Sequence, residues 1–168
     1  MVSRPPRLAT RLLLGGIAGT VATLPMTVAV RAVHRRLPTG ERYPAPPREL
    51  IDAVSGGTIG DDNARDLTLA AHYAYGAATG ALIAAAMPRP GIAAGAAAGV
   101  GVWAASYLGW IPAAGLLKPA TEHPARRNAM MIGAHLVWGA ALAATLRELQ
   151  VERDTIIAQG PDRDVPGP

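Results

Sequence analysis

The chain has 168 residues, half of them apolar and only 17% charged, and its mean hydropathy is +0.20. Soluble domains usually carry more charge than this. Cysteine is absent, which excludes disulfides, thiolate metal sites and thiol catalysis. The net charge of +4 comes from arginines beside apolar segments, with no nucleic-acid recognition motif, so we expect no nucleic-acid partner.

Four uncharged segments follow one another and predict an all-α fold, an integral membrane four-helix bundle. The predicted helices are about 12–32, 63–87, 91–116 and 125–147, which form a transmembrane domain at 12–147 between a basic N-terminal arm, 1–11, and a polar C-terminal tail, 148–168. A helix needs about 20 residues to cross the hydrocarbon core, and the first uncharged run has nearly that length. A signal peptide also has a basic start, but this run is longer than a typical h-region.

The connection between the first two predicted helices, residues 33–62, is rich in proline and charge. Within it, a Pro-Pro pair precedes Leu50, Ile51 and Val54, which share one helical face and predict a short amphipathic helix on the membrane surface. A second interpretation, in which residues 46–49 dock this connection over a vestibule, stays open. The arginines at 31–36 are interpreted as an interfacial anchor, with anionic-lipid binding as the alternative.

Glycines at helical spacing predict close contacts between helices. Small residues every four positions form a ridge that lets another helix backbone approach, and the third segment has such a ridge. The glycines assigned to helix packing are Gly76, Gly80, Gly91, Gly95, Gly99 and Gly139.

Two stretches 63 positions apart share one pattern. Residues 71–78 and 134–141 both read Ala-His-x-x-aromatic-Gly-Ala-Ala. The first and third segments also share a weaker Gly/Ala-rich match, between residues 15–19 and residues 91–95. Together these matches predict a duplicated two-helix hairpin whose two copies have the same orientation.

The histidines of the repeated pattern form the candidate functional site. His72 and His135 each lie about ten residues into their predicted helices, which puts both at roughly 15 Å from the same helix ends. A histidine within a membrane segment usually faces the bundle interior. We therefore expect both to line a polar vestibule, with Tyr75, Glu122 and Trp138 as neighbours.

Several roles stay open for these histidines. An intramembrane histidine can form hydrogen bonds between helices and fix their packing, or it can titrate near neutral pH in sensing or transport. Paired imidazoles also ligate haem iron, although nothing else in the sequence supports a haem. No carboxylate lies at matched depth to complete a metal site, and Ser106 has no nearby base for nucleophilic catalysis. We expect no cofactor, no metal and no enzyme activity.

Short motifs in the chain resemble the YagU-like family of small bacterial inner-membrane proteins of uncharacterised function. Residues 133–138, which read Gly-Ala-His-Leu-Val-Trp, look like the Gly-His-Leu-Val-Trp element of that family. The Pro-Pro-Arg turn at 46–48 and the helix with His72 and Tyr75 also fit the family. The resemblance extends over residues 12–148, implies a membrane location and supplies no chemistry.

The sequence thus predicts a multi-pass protein of the inner or plasma membrane whose surroundings are the lipid bilayer. The leading functional hypothesis is a structural or accessory component that packs with itself, as a homo-oligomer, or with a larger membrane partner. The alternative is a transporter or channel component that uses the vestibule of His72 and His135. Orientation stays open, because the side with the termini has seven basic residues and the other side has nine.

Overall fold

The computed structural model describes residues 7–38 and 46–157, and all regular elements in these ranges are helical. The first six residues of the predicted basic arm, residues 39–45 of the predicted connection and the predicted tail from residue 158 onward lie outside the described residues. The helices are α1 (Leu8–His34), α2 (Pro46–Ser55), α3 (Asp61–Ala86), α4 (Ile92–Ala104), α5 (Ile111–Ala113) and α6 (Ala125–Glu152), with π-helical turns at Ala105–Trp110 and Arg153–Ile157 and a 3-10 turn at Ala120–Glu122.

Within the described chain, three helices are long and apolar enough to cross a membrane: Leu8–His34, Ile92–Ala113 and Ala125–Thr155. The second of these consists of α4, the first π-helical turn and α5 in one continuous stretch of 22 residues. Although α3 has 26 residues, it is not among the three. Polar residues such as Thr68, His72 and Thr79 lower the hydropathy of its uncharged part, residues 67–86.

The helix ends differ from the predicted bounds at several places. α1 begins at Leu8 rather than near residue 12, and α6 continues to Glu152 rather than ending near residue 147. Charged residues end an apolar run without ending a helix, because Arg and Glu are good helix formers. The predicted third helix loses regular geometry at Gly109, with φ −114° and ψ −107°, and its last turn closes at Ala113 instead of residue 116.

A close crossing of glycine backbones holds α1 against α3. Gly15 and Gly19 of α1 face Gly76 and Gly80 of α3. A Cβ atom added to Gly80 would lie 2.5 Å from the carbonyl oxygen of Gly15, much closer than real side-chain contacts. Only residues without a side chain therefore allow these two helices to approach so closely.

A second crossing of the same kind holds α4 against α6. Gly95 and Gly99 of α4 face Gly139 of α6, and a Cβ atom added to Gly95 would lie 2.6 Å from the Cβ atom of Ala143. The third glycine predicted for this ridge, Gly91, does not take part. It precedes the first turn of α4 as its N-cap, with no described atom within 4 Å of an added Cβ atom, so it starts the helix instead of packing it.

The four long helical segments pack in the spatial order α3, α1, α6, α4. The apolar core lies where α1 packs between α3 and α6, and it is formed by Ala18, Ala22, Met26, Ala84, Ala134, Trp138, Leu142 and Leu146. A second cluster surrounds the π-helical turn and comprises Trp103, Tyr107, Ile111, Ala120 and Met131, with Leu50 of α2 packed against it. Among the described residues, α3 and α4 share no extended contact, so one side of the helix assembly is incomplete.

Candidate functional site

A cavity of about 860 Å³ occupies the incomplete side of the helix assembly, between α3 and the π-helical turn that follows α4. Residues from α1, α2, α3 and α6 line it together with that turn. Its volume lies within the range of about 300–1,000 Å³ that is typical of sites for small ligands. We call this cavity the vestibule.

Four of the five side chains predicted for the vestibule line it: His72 and Tyr75 from α3, and His135 and Trp138 from α6. The fifth, Glu122, does not. It lies in the 3-10 turn before α6, where its exposed side chain pairs with Lys118 at 3.6 Å. The turn directs Ala120 into the core instead, because the apolar methyl group gains from burial and the carboxylate would lose hydration there.

The two vestibule side chains of α6 are held by backbone hydrogen bonds. His135 is 7% exposed, and its Nδ1 lies 2.8 Å from the carbonyl oxygen of Met131. Because a carbonyl only accepts, Nδ1 carries a hydrogen in this contact. The indole Nε1 of Trp138 donates to the carbonyl oxygen of Gly19 at 3.3 Å, which ties α6 to the glycine crossing of α1. In residues 7–38 and 46–157, no group of three His, Asp or Glu side chains could hold a metal ion.

A hydroxyl pair bridges the vestibule between α3 and the π-helical turn. The hydroxyl oxygens of Tyr75 and Ser106 are 2.7 Å apart. Ser106 already donates its only hydroxyl hydrogen to the carbonyl oxygen of Val102, so Tyr75 is the donor across the bridge. The sequence offers Ser106 no catalytic base, and its role here is a structural hydrogen bond that short-range patterns do not indicate.

The bridge lies at an opening on the outer side of the helix assembly. Tyr75 and Trp110 both line the vestibule, and they are 39% and 47% exposed. Their ring centroids are 6.3 Å apart. The vestibule therefore reaches the outer surface between α3 and the π-helical turn.

Most of the vestibule wall is apolar in spite of its threonines. Thr23 and Thr27 donate their hydroxyl hydrogens to the carbonyl oxygens four residues before them, at 2.8 and 2.7 Å, and Thr79 does the same at 2.7 Å. Such back-bonding uses up the side-chain hydrogen, so these residues have no donor left for a ligand. Apolar side chains complete the wall, among them Met26, Val30, Leu69, Val102, Ile111 and Met131.

Basic side chains gather at the end of the vestibule near α2. Arg31 from α1, Arg35 at the C-cap of α1, Arg48 from α2 and Arg65 from α3 all line it, and we call these four the arginine rim. No Asp or Glu occurs among the described residues of the lining. The sequence indicates the α1 arginines as an anchor, but it does not indicate that three separate elements bring their arginines together.

Two ion pairs tie α2 to the helices around the vestibule. Arg48 bonds to Asp61 at the start of α3 at 2.9 Å, and Glu49 bonds to Arg127 of α6 at 2.5 Å. Arg127 is only 7% exposed, so the second pair is largely shielded from water. The Arg48 guanidinium, which bonds to the Asp61 carboxylate, lowers the pKa of that group below its ordinary value of 3.8.

The apolar face predicted for α2 is divided by this docking. Leu50 and Ile51 line the vestibule, whereas Val54 is 71% exposed. α2 therefore covers part of the vestibule with Leu50 and Ile51, and the ion pairs to α3 and α6 hold it there.

Comparisons with known proteins add nothing to this geometry. No protein-family model, no curated protein and no solved structure matches the chain. What the vestibule can do therefore follows from its own side chains.

Proposed function

We propose that this chain is a four-span protein of the inner or plasma membrane that holds a small ligand in the vestibule, as a binding or transport component. The observation that carries the proposal is one cavity of ligand size with both motif histidines on its wall. Protein interiors are close-packed and contain few voids larger than a water molecule. A protein that served only to fill space between partners would have no use for a cavity of about 860 Å³ beneath a tied helix.

In this proposal α3 is the fourth span. Its 26 residues extend about 39 Å, which exceeds the about 30 Å of a bilayer core. Its charged first turn would lie at the interface, and its glycine crossing with α1 would lie within the hydrocarbon.

A duplicated hairpin is part of the same proposal. The contact of Gly19 with Gly76 in one crossing corresponds to the contact of Gly99 with Gly139 in the other. Gly76 and Gly139 both belong to the repeated motif. Kinship with the YagU-like family is also proposed, on the motif at 133–138. Two side chains of that motif, His135 and Trp138, line the vestibule.

Single-cysteine labelling tests the proposal, because the native chain contains no cysteine. Thr27→Cys introduces a thiol at the vestibule wall, and Leu142→Cys introduces one in the core at 0% exposure. Leu24→Cys adds a third, on an α1 side chain that is 58% exposed and faces lipid in the proposal. The reactive species is the thiolate, which forms only where water reaches.

With a small, neutral, water-soluble maleimide on the protein in nanodiscs of pure phosphatidylcholine, we expect Thr27→Cys to react. We expect Leu24→Cys and Leu142→Cys to stay unmodified. A Thr27→Cys variant as inert as Leu142→Cys would refute a ligand-accessible vestibule. Rapid modification of Leu24→Cys would refute the membrane setting of α1.

A packing role is the second candidate function, and the outer face of α4 favours it. Ala93, Ala97 and Gly101 are all exposed at four-residue spacing, a pattern that suits close helix contact in lipid. A second copy or a larger membrane partner would cover this face. Ala97→Leu is then expected to reduce the oligomer fraction in lipid-dilution measurements, whereas Ala78→Leu on the exposed side of α3 is not. If the native protein is monomeric at every dilution, the homo-oligomer hypothesis is refuted.

A further inference from the structure

We propose that the ligand of the vestibule is an anionic membrane lipid, with its headgroup at the arginine rim and an acyl chain along the apolar wall. This inference rests on the proposed function and names the ligand class for it. Three independent features of the vestibule carry it: the charge at one end, the chemistry of the wall, and the opening towards the side of the helix assembly.

The charge of the lining selects an anion. Four arginines and no Asp or Glu occur among its described residues. Two of these arginines have acidic partners outside the lining, since Arg48 bonds to Asp61 and Arg65 to Asp62. Arg31 is exposed and forms no side-chain hydrogen bond or ion pair with the described residues, so its planar guanidinium is available for a phosphate group.

The wall below the rim selects an apolar chain. Along α1 the lining runs from Arg31 inward to Thr23, eight residues that correspond to about 12 Å of helix. The threonines of this wall have no free hydroxyl hydrogen, and Met26 and Val30 lie among them. A small, fully hydrated anion would lose water here without gaining hydrogen bonds, whereas a hydrocarbon chain gains from burial.

The opening of the vestibule gives such a chain a path. Tyr75 and Trp110 flank it and are both partly exposed on the outer side of the helix assembly. Because α3 and α4 share no extended contact in the described chain, an acyl chain can enter sideways from the bilayer when the Tyr75 side chain parts from Ser106 and Trp110, without separating two packed helices. Basic pockets between membrane helices are known to hold anionic headgroups in this manner.

The test uses the Thr27→Cys protein in nanodiscs with increasing fractions of phosphatidylglycerol in phosphatidylcholine. A bound acyl chain covers the thiol, so we expect the maleimide reaction rate to fall as the anionic fraction rises. Val54→Cys, on the outward side of α2, is the surface control and keeps its rate. Each basic residue near an anionic surface contributes enough to change affinity about fivefold.

Removing one positive charge from the arginine rim, and one from outside it, gives the matched comparison. The anionic lipid fraction at which the labelling rate is halved is expected to be about fivefold higher for Arg31→Gln than for the native rim. Arg36→Gln, an equal change of charge at an exposed residue outside the lining, leaves that fraction unchanged.

The outcomes separate the two proposals. No labelling of Thr27→Cys in any nanodisc refutes the vestibule and the proposed function with it. Labelling that does not depend on the anionic fraction refutes the lipid proposal alone. Protection by inorganic phosphate in pure phosphatidylcholine, equal to that by phosphatidylglycerol, refutes it too, because the ligand would then be a soluble anion. Equal effects of Arg31→Gln and Arg36→Gln would overturn the assignment of the headgroup to the arginine rim.

Discussion

The glycine crossing between α4 and α6 makes the most quantitative prediction. In Gly95→Ala the new methyl group would lie 2.5 Å from the carbonyl oxygen of Gly139 and 2.6 Å from the Cβ atom of Ala143. Non-bonded carbon atoms prefer separations of about 3.5–4.0 Å, so α4 would have to move away by about 1 Å. Forcing an extra methyl group into a packed interface typically costs about 1–3 kcal/mol.

Helix propensity acts in the opposite direction, and a control variant separates its contribution from that of the clash. Replacing Gly by Ala within a helix stabilises it by about 1 kcal/mol. Gly101 lies in the same helix with no described atom within 4 Å of an added Cβ atom, so Gly101→Ala gains the propensity without the clash. We therefore expect Gly95→Ala to be less stable than Gly101→Ala by about 2 kcal/mol.

The assay is reversible unfolding in mixed micelles with an increasing fraction of a denaturing detergent. The fluorescence of Trp103, a buried residue of α4, reports the separation of the helices together with the other two tryptophans. Equal unfolding free energies for Gly95→Ala and Gly101→Ala would refute the reasoning, since α4 would then not meet α6 through Gly95.

The remaining predictions concern α2 and the hydroxyl bridge. Glu49→Gln removes the negative charge that pairs with the buried Arg127 and should speed proteolysis within α2. We expect a cost of about 2 kcal/mol, which is less than for a fully buried pair because Glu49 is partly exposed. The pKa of Asp61 is lowered in the folded chain, so its contact with Arg48 stabilises fully above the ordinary value of 3.8 and is lost as pH falls through the lowered pKa. Proteolysis of α2 should rise accordingly below about pH 4. Tyr75→Phe removes one hydrogen bond, costs about 1 kcal/mol of unfolding free energy and should increase maleimide access to a vestibule cysteine.

Each of these variants has a matched control in the chain. Glu122→Gln changes an exposed pair instead of a buried one and should leave proteolysis of α2 unaltered. Asp62→Asn alters the exposed neighbour of Asp61 and should keep the acid dependence, because Asp62 pairs with Arg65 of the same helix and not with α2 among the described residues. Tyr73→Phe removes a hydroxyl group outside the vestibule lining. If Glu122→Gln or Tyr73→Phe had the same effect as its variant, or if Asp62→Asn removed the acid dependence, the assigned contact would not be the cause.

The sequence predicts helices well where one stretch of residues determines the outcome. Long uncharged runs produce long helices because backbone hydrogen bonding stays within the segment. Helix ends are less predictable, as α6 demonstrates by continuing through charged residues to Glu152. The spacing of Gly95 and Gly99 indicates a ridge, but it does not identify the partner helix, since Gly139 lies 40 residues further on.

The vestibule was only partly predictable for the same reason. The repeated motif draws attention to His72 and His135, which line one cavity. Nothing local indicates that Glu122 points outward or that Glu49 bonds to Arg127, because a turn direction and a contact over 78 positions depend on the assembled fold. Likewise, helical periodicity gives α2 an apolar face without specifying what covers it.

The two glycine crossings also determine which parts of the fold can move when the vestibule changes its width. Within the α1–α3 pair and within the α4–α6 pair, the backbones approach so closely that there is no room even for a Cβ atom. The vestibule lies on the side where α3 and α4 share no extended contact among the described residues. A change in its width would therefore leave both glycine crossings intact and alter the α1–α6 contact between the two pairs. In the proposed membrane setting, admitting a larger ligand would turn one helix pair against the other.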